Sequence, residues 1–168
     1  MGFAWLIIFG SMIGCRTAPH FGNEQIKAKR SAKNGVELTL TLTYPMRANV
    51  PAPLDITLAN KNTAEVNYCR NKGFLKCNVH VTNALEVKMP FTQYGREAIS
   101  LPEGYDQYTH HRFFESLASG QKKTWSIDLL RCFNLPPGSY VLSVSVVMDE
   151  LGQKPFSLEV AEVKFSVE

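Results

Sequence analysis

The stretch VELTLTLTY, residues 36–44, alternates apolar and polar side chains over nine positions. Valine, leucine and tyrosine occupy the even positions, whereas glutamate and threonine occupy the odd ones. Because successive side chains of a β-strand point to opposite faces, this alternation predicts a strand of about 30 Å with one buried face.

Similar alternation recurs along the chain, in segments separated by turns that are rich in Asn, Gly and Pro. These segments cover residues 54–58, 77–81, 85–91, 125–129, 140–146 and 156–167. In the last segment the apolar parity changes between Val160 and Val163, which predicts a β-bulge near Ala161. No segment keeps a helical period beyond a turn or two. We therefore expect an all-β fold, an antiparallel sandwich of about seven strands over residues 36–168.

The segment LPPGSY, residues 135–140, carries a Gly-x-Tyr entry into a strand. It resembles the tyrosine corner of immunoglobulin-like sandwiches, in which the tyrosine hydroxyl bonds back to the preceding loop. The alternative is a plain turn followed by a strand tyrosine. With ITLANKNTAEV (56–66), VHVTNALEV (79–87) and LASGQKKTWSIDL (117–129), the order of strands and turns resembles the bacterial intracellular proteinase inhibitor domain and related lipoprotein modules. The resemblance implies an Ig-like sandwich, with Glu86 at a turn position where glycine would be expected.

The N-terminus carries an apolar run, FAWLIIFGSMI at residues 3–13, which is too short to span a bilayer. It leads into MIGC, residues 12–15, which resembles the bacterial lipobox. The resemblance implies that residues 1–14 are a signal peptide and that Cys15 is lipidated. We then expect an extracytoplasmic protein of the cell envelope, anchored in the membrane by lipid. The alternatives are an uncleaved anchor, an ordinary signal peptide, or a hydrophobic element with a buried Cys15 thiol.

The charge of the chain is concentrated between the apolar run and the first strand. Residues 16–35 hold five cations and one anion and show no apolar periodicity, so residues 15–35 are predicted to be a flexible basic linker. Residues 36–168 hold thirteen cations and fourteen anions. This balance gives no basic signature for nucleic acid, and we expect no nucleic-acid partner.

Three cysteines besides Cys15 allow three single pairings. We favour a disulfide between Cys69 and Cys77, which bracket seven residues between successive strands and leave Cys132 over. The alternative is that these thiols are reduced and buried.

The connection FTQYGREAISLPEGYDQYTHHRFF, residues 91–114, is longer than a sandwich hairpin needs and holds six of the 18 aromatic residues. Long loops in compact domains are commonly functional, and tyrosine and arginine are enriched in protein-binding surfaces. The alternative is that its phenylalanines (Phe91, Phe113 and Phe114) close the sandwich edge. The predicted partner-binding residues are Tyr94, Arg96, Tyr105, Tyr108, His110 and Arg112.

No catalytic motif occurs in the chain, so we expect neither an enzyme nor a cofactor. His110 and His111 are adjacent and would point to opposite sides of an extended chain, so we also expect no metal site. The predicted function is therefore a non-catalytic cell-envelope lipoprotein that binds or scaffolds an unknown protein partner. The alternative is a proteinase inhibitor that presents loops to an enzyme cleft.

Overall fold

The computed structural model describes residues 25–48, 50–71, 74–75, 77–99, 114–149 and 156–168. Within them the chain forms ten strands and two short helices. The elements are β1 (Gln25–Lys33), β2 (Val36–Tyr44), β3 (Pro53–Asn60), β4 (Val66–Asn71), β5 (Phe74–Leu75), β6 (Cys77–Asn83), α1 (Gln93–Ala98), β7 (Phe114–Leu117), β8 (Lys122–Asp128), α2 (Leu129–Cys132), β9 (Gly138–Asp149) and β10 (Phe156–Val167).

The strands form two sheets that enclose one apolar core. The first sheet has the order β1-β2-β3-β8. In the second sheet β9 pairs with β10 along one side and with β6 and β4 along the other, and β4 also pairs with β5 and β7. Every paired strand in these sheets is antiparallel. The predicted all-β, antiparallel sandwich is therefore confirmed.

The alternation of β2 shows most clearly how the sequence supplies this core. Val36, Leu38, Leu40 and Leu42 are buried, whereas the odd positions are half-buried on the outer face. Their partners in β3 are also apolar, since Leu38 pairs with Leu58. Burial of each such leucine contributes about 1.5–3 kcal/mol relative to exposure.

The predicted bulge in β10 is confirmed. The register against β9 shifts between Val160 and Val163, and Glu162 adopts a left-handed backbone with φ of 60°. As a result both Val160 and Val163 are buried, although they have opposite parity.

The predicted tyrosine corner is also confirmed. The Tyr140 hydroxyl donates a hydrogen bond of 2.6 Å to the carbonyl oxygen of Pro136 in the preceding loop. The ring of Tyr140 stacks on Phe165 at 5.6 Å between centroids, and the residue is only 4% exposed. Burial raises the pKa of Tyr140, so the hydroxyl remains a donor at neutral pH.

The predicted linker over residues 15–35 was wrong from Gln25 onward. Residues 25–33 form β1, which pairs with β2 along its whole length, from Gln25 opposite Tyr44 to Lys33 opposite Val36. A two-residue turn at Asn34 and Gly35, both with positive φ, joins the two strands. Residues 15–24 lie outside the described residues.

The strand expected over residues 85–91 was also wrong. Leu85 is 82% exposed and Val87 is 56% exposed, although the alternation had placed both on a buried face. The chain turns at Asn83 instead, because the side-chain oxygen of Asn83 accepts hydrogen bonds from the backbone N–H groups of Leu85 and Val87.

Candidate functional site

One end of the sandwich carries both helices, and we call it the helix end. There β2, β6 and β8 finish and β1, β3 and β9 begin, as the pairs Gln25–Tyr44, Pro53–Asp128 and Asn83–Tyr140 show. The connections at the helix end are residues 45–52, 84–99 and 129–137. At the opposite end, the hairpin end, the described connections are residues 34–35, 61–65 and 118–121.

Thr92 fixes the start of α1, a six-residue helix in the 91–114 connection. Its hydroxyl oxygen accepts a hydrogen bond from the N–H of Gly95 at 3.0 Å, and the same hydroxyl donates to the carbonyl of Arg131 at 2.7 Å. The backbone N–H of Thr92 donates to the carbonyl of Cys132 at 2.9 Å. These bonds tie α1 to α2, and a side chain at Gly95 would collide with the Cys132 carbonyl.

Asp128 fixes α2 in turn. Its carboxylate accepts hydrogen bonds from the N–H of Arg131 at 3.3 Å, as an N-cap, and from the N–H of Ala52 at 3.2 Å. The second bond reaches across from the 45–52 connection. The two helices therefore form one unit with the end of the first sheet.

Aromatic contacts complete this unit. Phe91 packs on the buried Phe133 with 4.6 Å between ring centroids. The guanidinium of Arg131 lies 3.9 Å from the centroid of the Tyr94 ring, a close cation–π stack. Arg96 donates a hydrogen bond of 3.0 Å to the carbonyl of Phe91. We call residues 91–98 and 129–133 the helix platform.

The predicted partner-binding residues divide between this platform and the undescribed segment. Tyr94 is half-buried and packs against the core, so part of the ring has a structural role. Arg96 is exposed on α1. Phe91 packs on the core as the alternative expected. The remaining predicted residues lie outside the described residues: Tyr105, Tyr108, His110 and Arg112.

The cysteine predictions have different outcomes. Cys15 lies outside the described residues, and only the backbone of Cys69 is described, so its pairing with Cys77 stays a prediction. Cys77 is buried in β6. Cys132 is a free thiol buried in α2, and desolvation with the nearby Asp128 carboxylate raises its pKa to about 11.

The turn Asn83–Val87 is a feature that the sequence analysis missed as a site. Besides the two bonds to its side chain, Asn83 accepts the N–H of Glu86 at its carbonyl and donates its own N–H to the carbonyl of Val87. Glu86 adopts φ of 60°, which agrees with the expectation that glycine would suit this position. The exposed Leu85 therefore stands on a rigid turn. The only sign of this turn in the sequence was Glu86, which stands where the family resemblance leads us to expect a glycine.

An open groove of about 830 Å³ lies beside this turn, across the first residues of β9 and the last residues of β6 and β10. Polar and apolar side chains both line it, and its charges are mixed, since Glu86, Glu162 and Lys164 all take part in the lining. Thr82, Asn83, Ser139 and Ser166 add uncharged polar groups, and Val141 and Phe165 add apolar ones. No feature of the sequence marked this groove.

A polar cluster away from the helix end joins the two sheets. The Lys123 ammonium donates to the Glu115 carboxylate at 2.6 Å and to the Tyr68 hydroxyl at 2.8 Å, and it lies 5.6 Å from the centroids of the Tyr68 and Trp125 rings. The bond to Glu115 raises the pKa of Lys123, and burial raises the pKa of Tyr68. The cluster links β8 to β4 and β7, and its role is structural.

Neither a metal-binding cluster nor a membrane-spanning helix occurs among the described residues. No group of three His, Cys, Asp or Glu side chains within them is arranged to hold a metal ion. In that same part of the chain, no helix has the length and apolar character to cross a membrane.

Comparison with known proteins gives little further information. No protein-family model matches the chain, and no curated protein matches it. Among solved structures, the crystal structure of the C-terminal domain of wzt is similar with a TM-score of 0.47 and 11% sequence identity, over 84% of this chain and 78% of that one. At this identity and TM-score the likeness says nothing about function.

Proposed function

We propose that the protein is a non-catalytic, lipid-tethered module of the cell envelope that binds or scaffolds another protein. The lipobox-like MIGC supports the tether at Cys15. The helix platform supports the binding role, and it is the single observation on which this role depends.

A six-residue helix such as α1 would not be stable alone in water, because helix nucleation is unfavourable and short helices gain too few hydrogen bonds. Its hydrogen bonds to α2 and the Phe91–Phe133 contact hold it in place. The exposed side chains of Gln93, Arg96 and Glu97 are therefore carried on a fixed backbone. A partner that binds them loses less ordering entropy than one that binds a flexible loop.

The chemistry of the platform favours a partner surface with carbonyl or carboxylate oxygens. Arg131 lies on the Tyr94 ring, which restricts the side chain while its guanidinium N–H groups remain donors. Tyrosine and arginine on a rigid support are the residue types that carry most of the energy in protein interfaces. The rest of the predicted surface, at Tyr105, Tyr108, His110 and Arg112, continues the chain from this platform.

The tether is tested by intact mass spectrometry of the protein from the membrane fraction of its native host. We expect the mass of residues 15–168 plus acyl chains. A full-length, unmodified mass in the soluble fraction would contradict the tether.

The binding role is tested by cross-linking and affinity capture of the full-length protein from the native envelope. We expect one reproducible partner, at least tenfold less of it with Arg131→Glu, and a similar loss with Tyr105→Ala combined with Tyr108→Ala. The matched control is Lys122→Glu, an equal charge change at an exposed site on β8. Equal capture by all variants would contradict the proposed surface.

The rigid Asn83–Val87 turn favours a second candidate, the proteinase inhibitor. Inhibitor loops need a preorganised backbone and a protruding side chain, and Leu85 meets both conditions. The test is a panel of proteases at stoichiometric concentration. Inhibition that Leu85→Ala abolishes would support this candidate, and unchanged protease rates would exclude it for that panel.

A further inference from the structure

The exposed large apolar side chains of the described residues gather at one end of the sandwich. They are Val50, 47% exposed, Leu85, 82% exposed, and Val87, 56% exposed. Val50 lies between β2 and β3 and the other two follow β6, so all three belong to the helix end. The described connections of the hairpin end (residues 34–35, 61–65 and 118–121) instead hold Asn, Lys, Thr, Glu, Ser, Gln, Gly and Ala. Exposed apolar groups confined to one end mark a contact surface.

The proposed tether enters at this same end. β1 begins at Gln25, opposite Tyr44 at the end of β2. Nine residues separate Cys15 from Gln25, and a chain of this length spans at most about 35 Å. The sandwich itself is about 30 Å long along β2. A lipid on Cys15 would therefore keep the start of β1, and with it the helix end, within about 35 Å of the bilayer, a limit that the hairpin end does not share.

We propose that the Asn83–Val87 turn of the helix end lies on the membrane surface, with Leu85 and Val87 inserted at the boundary between headgroups and acyl chains, whereas the helix platform stays available to a protein partner. This inference depends on the proposed tether at Cys15. It identifies the occupant of the apolar surface as a lipid bilayer rather than a protein.

The backbone of the Asn83–Val87 turn suits this environment. An unpaired N–H group is costly to move out of water, but the N–H groups of Leu85, Glu86 and Val87 all bond to Asn83 within the turn. The Glu86 side chain lines the neighbouring groove, which gives its carboxylate a polar surrounding beside the inserted residues.

Charge contributes little to the contact. Among the described residues of the helix end, the exposed cations Arg47, Lys88, Arg96 and Arg131 are nearly balanced by Glu86, Glu97 and Glu168. We therefore expect insertion to depend weakly on salt, unlike the binding of a polybasic segment. The few apolar side chains give modest affinity alone, and the tether makes up for it by raising their effective concentration at the surface.

The test uses depth-dependent quenching of tryptophan by brominated lipids. Full-length protein with Leu85→Trp is purified from the host membrane fraction and reconstituted into vesicles of phosphatidylethanolamine and phosphatidylglycerol that contain dibrominated phosphatidylcholine. The matched control is Thr63→Trp, at an exposed position of the hairpin end. The unsubstituted protein gives the background, including that of the buried Trp125.

We expect the fluorescence of the tryptophan at position 85 to fall by at least half, the control to change by less than a tenth, and both results to persist in 0.5 M salt. If the protein floats with the vesicles but neither tryptophan is quenched, or both are quenched equally, the inference is wrong and the tether stands. If the protein is unacylated and does not float, the tether is wrong and the inference falls with it. An unquenched position 85 combined with protease inhibition assigns Leu85 to an enzyme cleft instead.

Discussion

Replacement of Tyr140 by phenylalanine removes a single oxygen atom and so tests the hydrogen bond of the tyrosine corner. The change removes the hydroxyl that bonds to the Pro136 carbonyl at 2.6 Å and keeps the ring stacked on Phe165. A net hydrogen bond contributes about 0.5–1.5 kcal/mol, and the exposed Pro136 lets water reach the carbonyl that loses its partner. Although Tyr140 itself is 4% exposed, we therefore expect the free energy of unfolding to fall by about 0.5–1.5 kcal/mol.

The measurement is urea unfolding followed by circular dichroism, with thermal unfolding as a second reading. For a domain of this size a loss of 1 kcal/mol lowers Tm by about 2–4 °C. The matched control is Tyr94→Phe, because the described residues include no hydrogen-bond partner for the Tyr94 hydroxyl; its effect should stay within about 0.5 kcal/mol. Equal effects of the two substitutions would show that the Pro136 bond is not a specific support of the fold.

The remaining predictions concern turn strain, a buried thiol and an ion pair. Glu86→Gly should raise the free energy of unfolding by about 0.5–1 kcal/mol in urea, since glycine adopts the left-handed φ of 60° at this position without strain. The control Glu159→Gly, in a regular part of β10, should lower the free energy of unfolding. A change of the same sign in both variants would refute the reasoning. The Cys132 thiol, with a pKa of about 11, is about one-thousandth thiolate at pH 8, so peptide mapping should find it unalkylated in the native protein and alkylated in urea. Because stability from this raised pKa is lost as pH rises from about 9 to 11, unfolding should become easier over that window, and less so with Cys132→Ala. Lys123→Met should cost about 1 kcal/mol or less, because the pair with Glu115 is partly exposed and screened, and 1 M salt should shrink the difference in urea midpoint.

The core and its corner could be predicted because they follow rules that act locally. The alternation of β2 states which side chains are buried, and a change of parity between Val160 and Val163 requires one extra residue in β10. The Gly-x-Tyr entry at Tyr140 likewise fixes a contact only four residues away. In each of these cases the partner or the face is set by neighbours in sequence.

The 85–91 segment shows how the same rule fails. Leu85 and Val87 have the parity of a buried strand, yet the amide of Asn83 offers the backbone an alternative set of hydrogen bonds and ends β6. Alternation states that two side chains share a face, but not that another sheet covers that face. The strands β5 and β7 were missed for different reasons. β5 is only two residues long and pairs with the end of β4 just before it, whereas β7 is short and pairs with a β4 that lies far away in sequence.

The helix platform could be predicted only as a region. An excess of tyrosine and arginine pointed to residues 91–114, but the link between Thr92 and the carbonyls of Arg131 and Cys132 joins residues about 40 positions apart. The collision that reserves Gly95 for glycine is also a property of this packing. Such contacts leave no periodic signal.

The strand β1 has a residue pattern that is the reverse of a core strand. Directly opposed residues in an antiparallel pair share a face, so Lys29, Ser31 and Lys33 lie on the face of the buried leucines of β2. Lys29 and Lys33 remain exposed because β1 is the edge of its sheet, where long side chains reach past the core to water. The Lys33 ammonium lies 5.8 Å from the centroid of the Phe156 ring. Inward-facing charges at an edge also oppose pairing with a second sheet. The lysines that made this segment resemble a linker therefore suit a strand at the edge of the sheet. The pairing of Gln25 with Tyr44 places the start of β1 at the helix end.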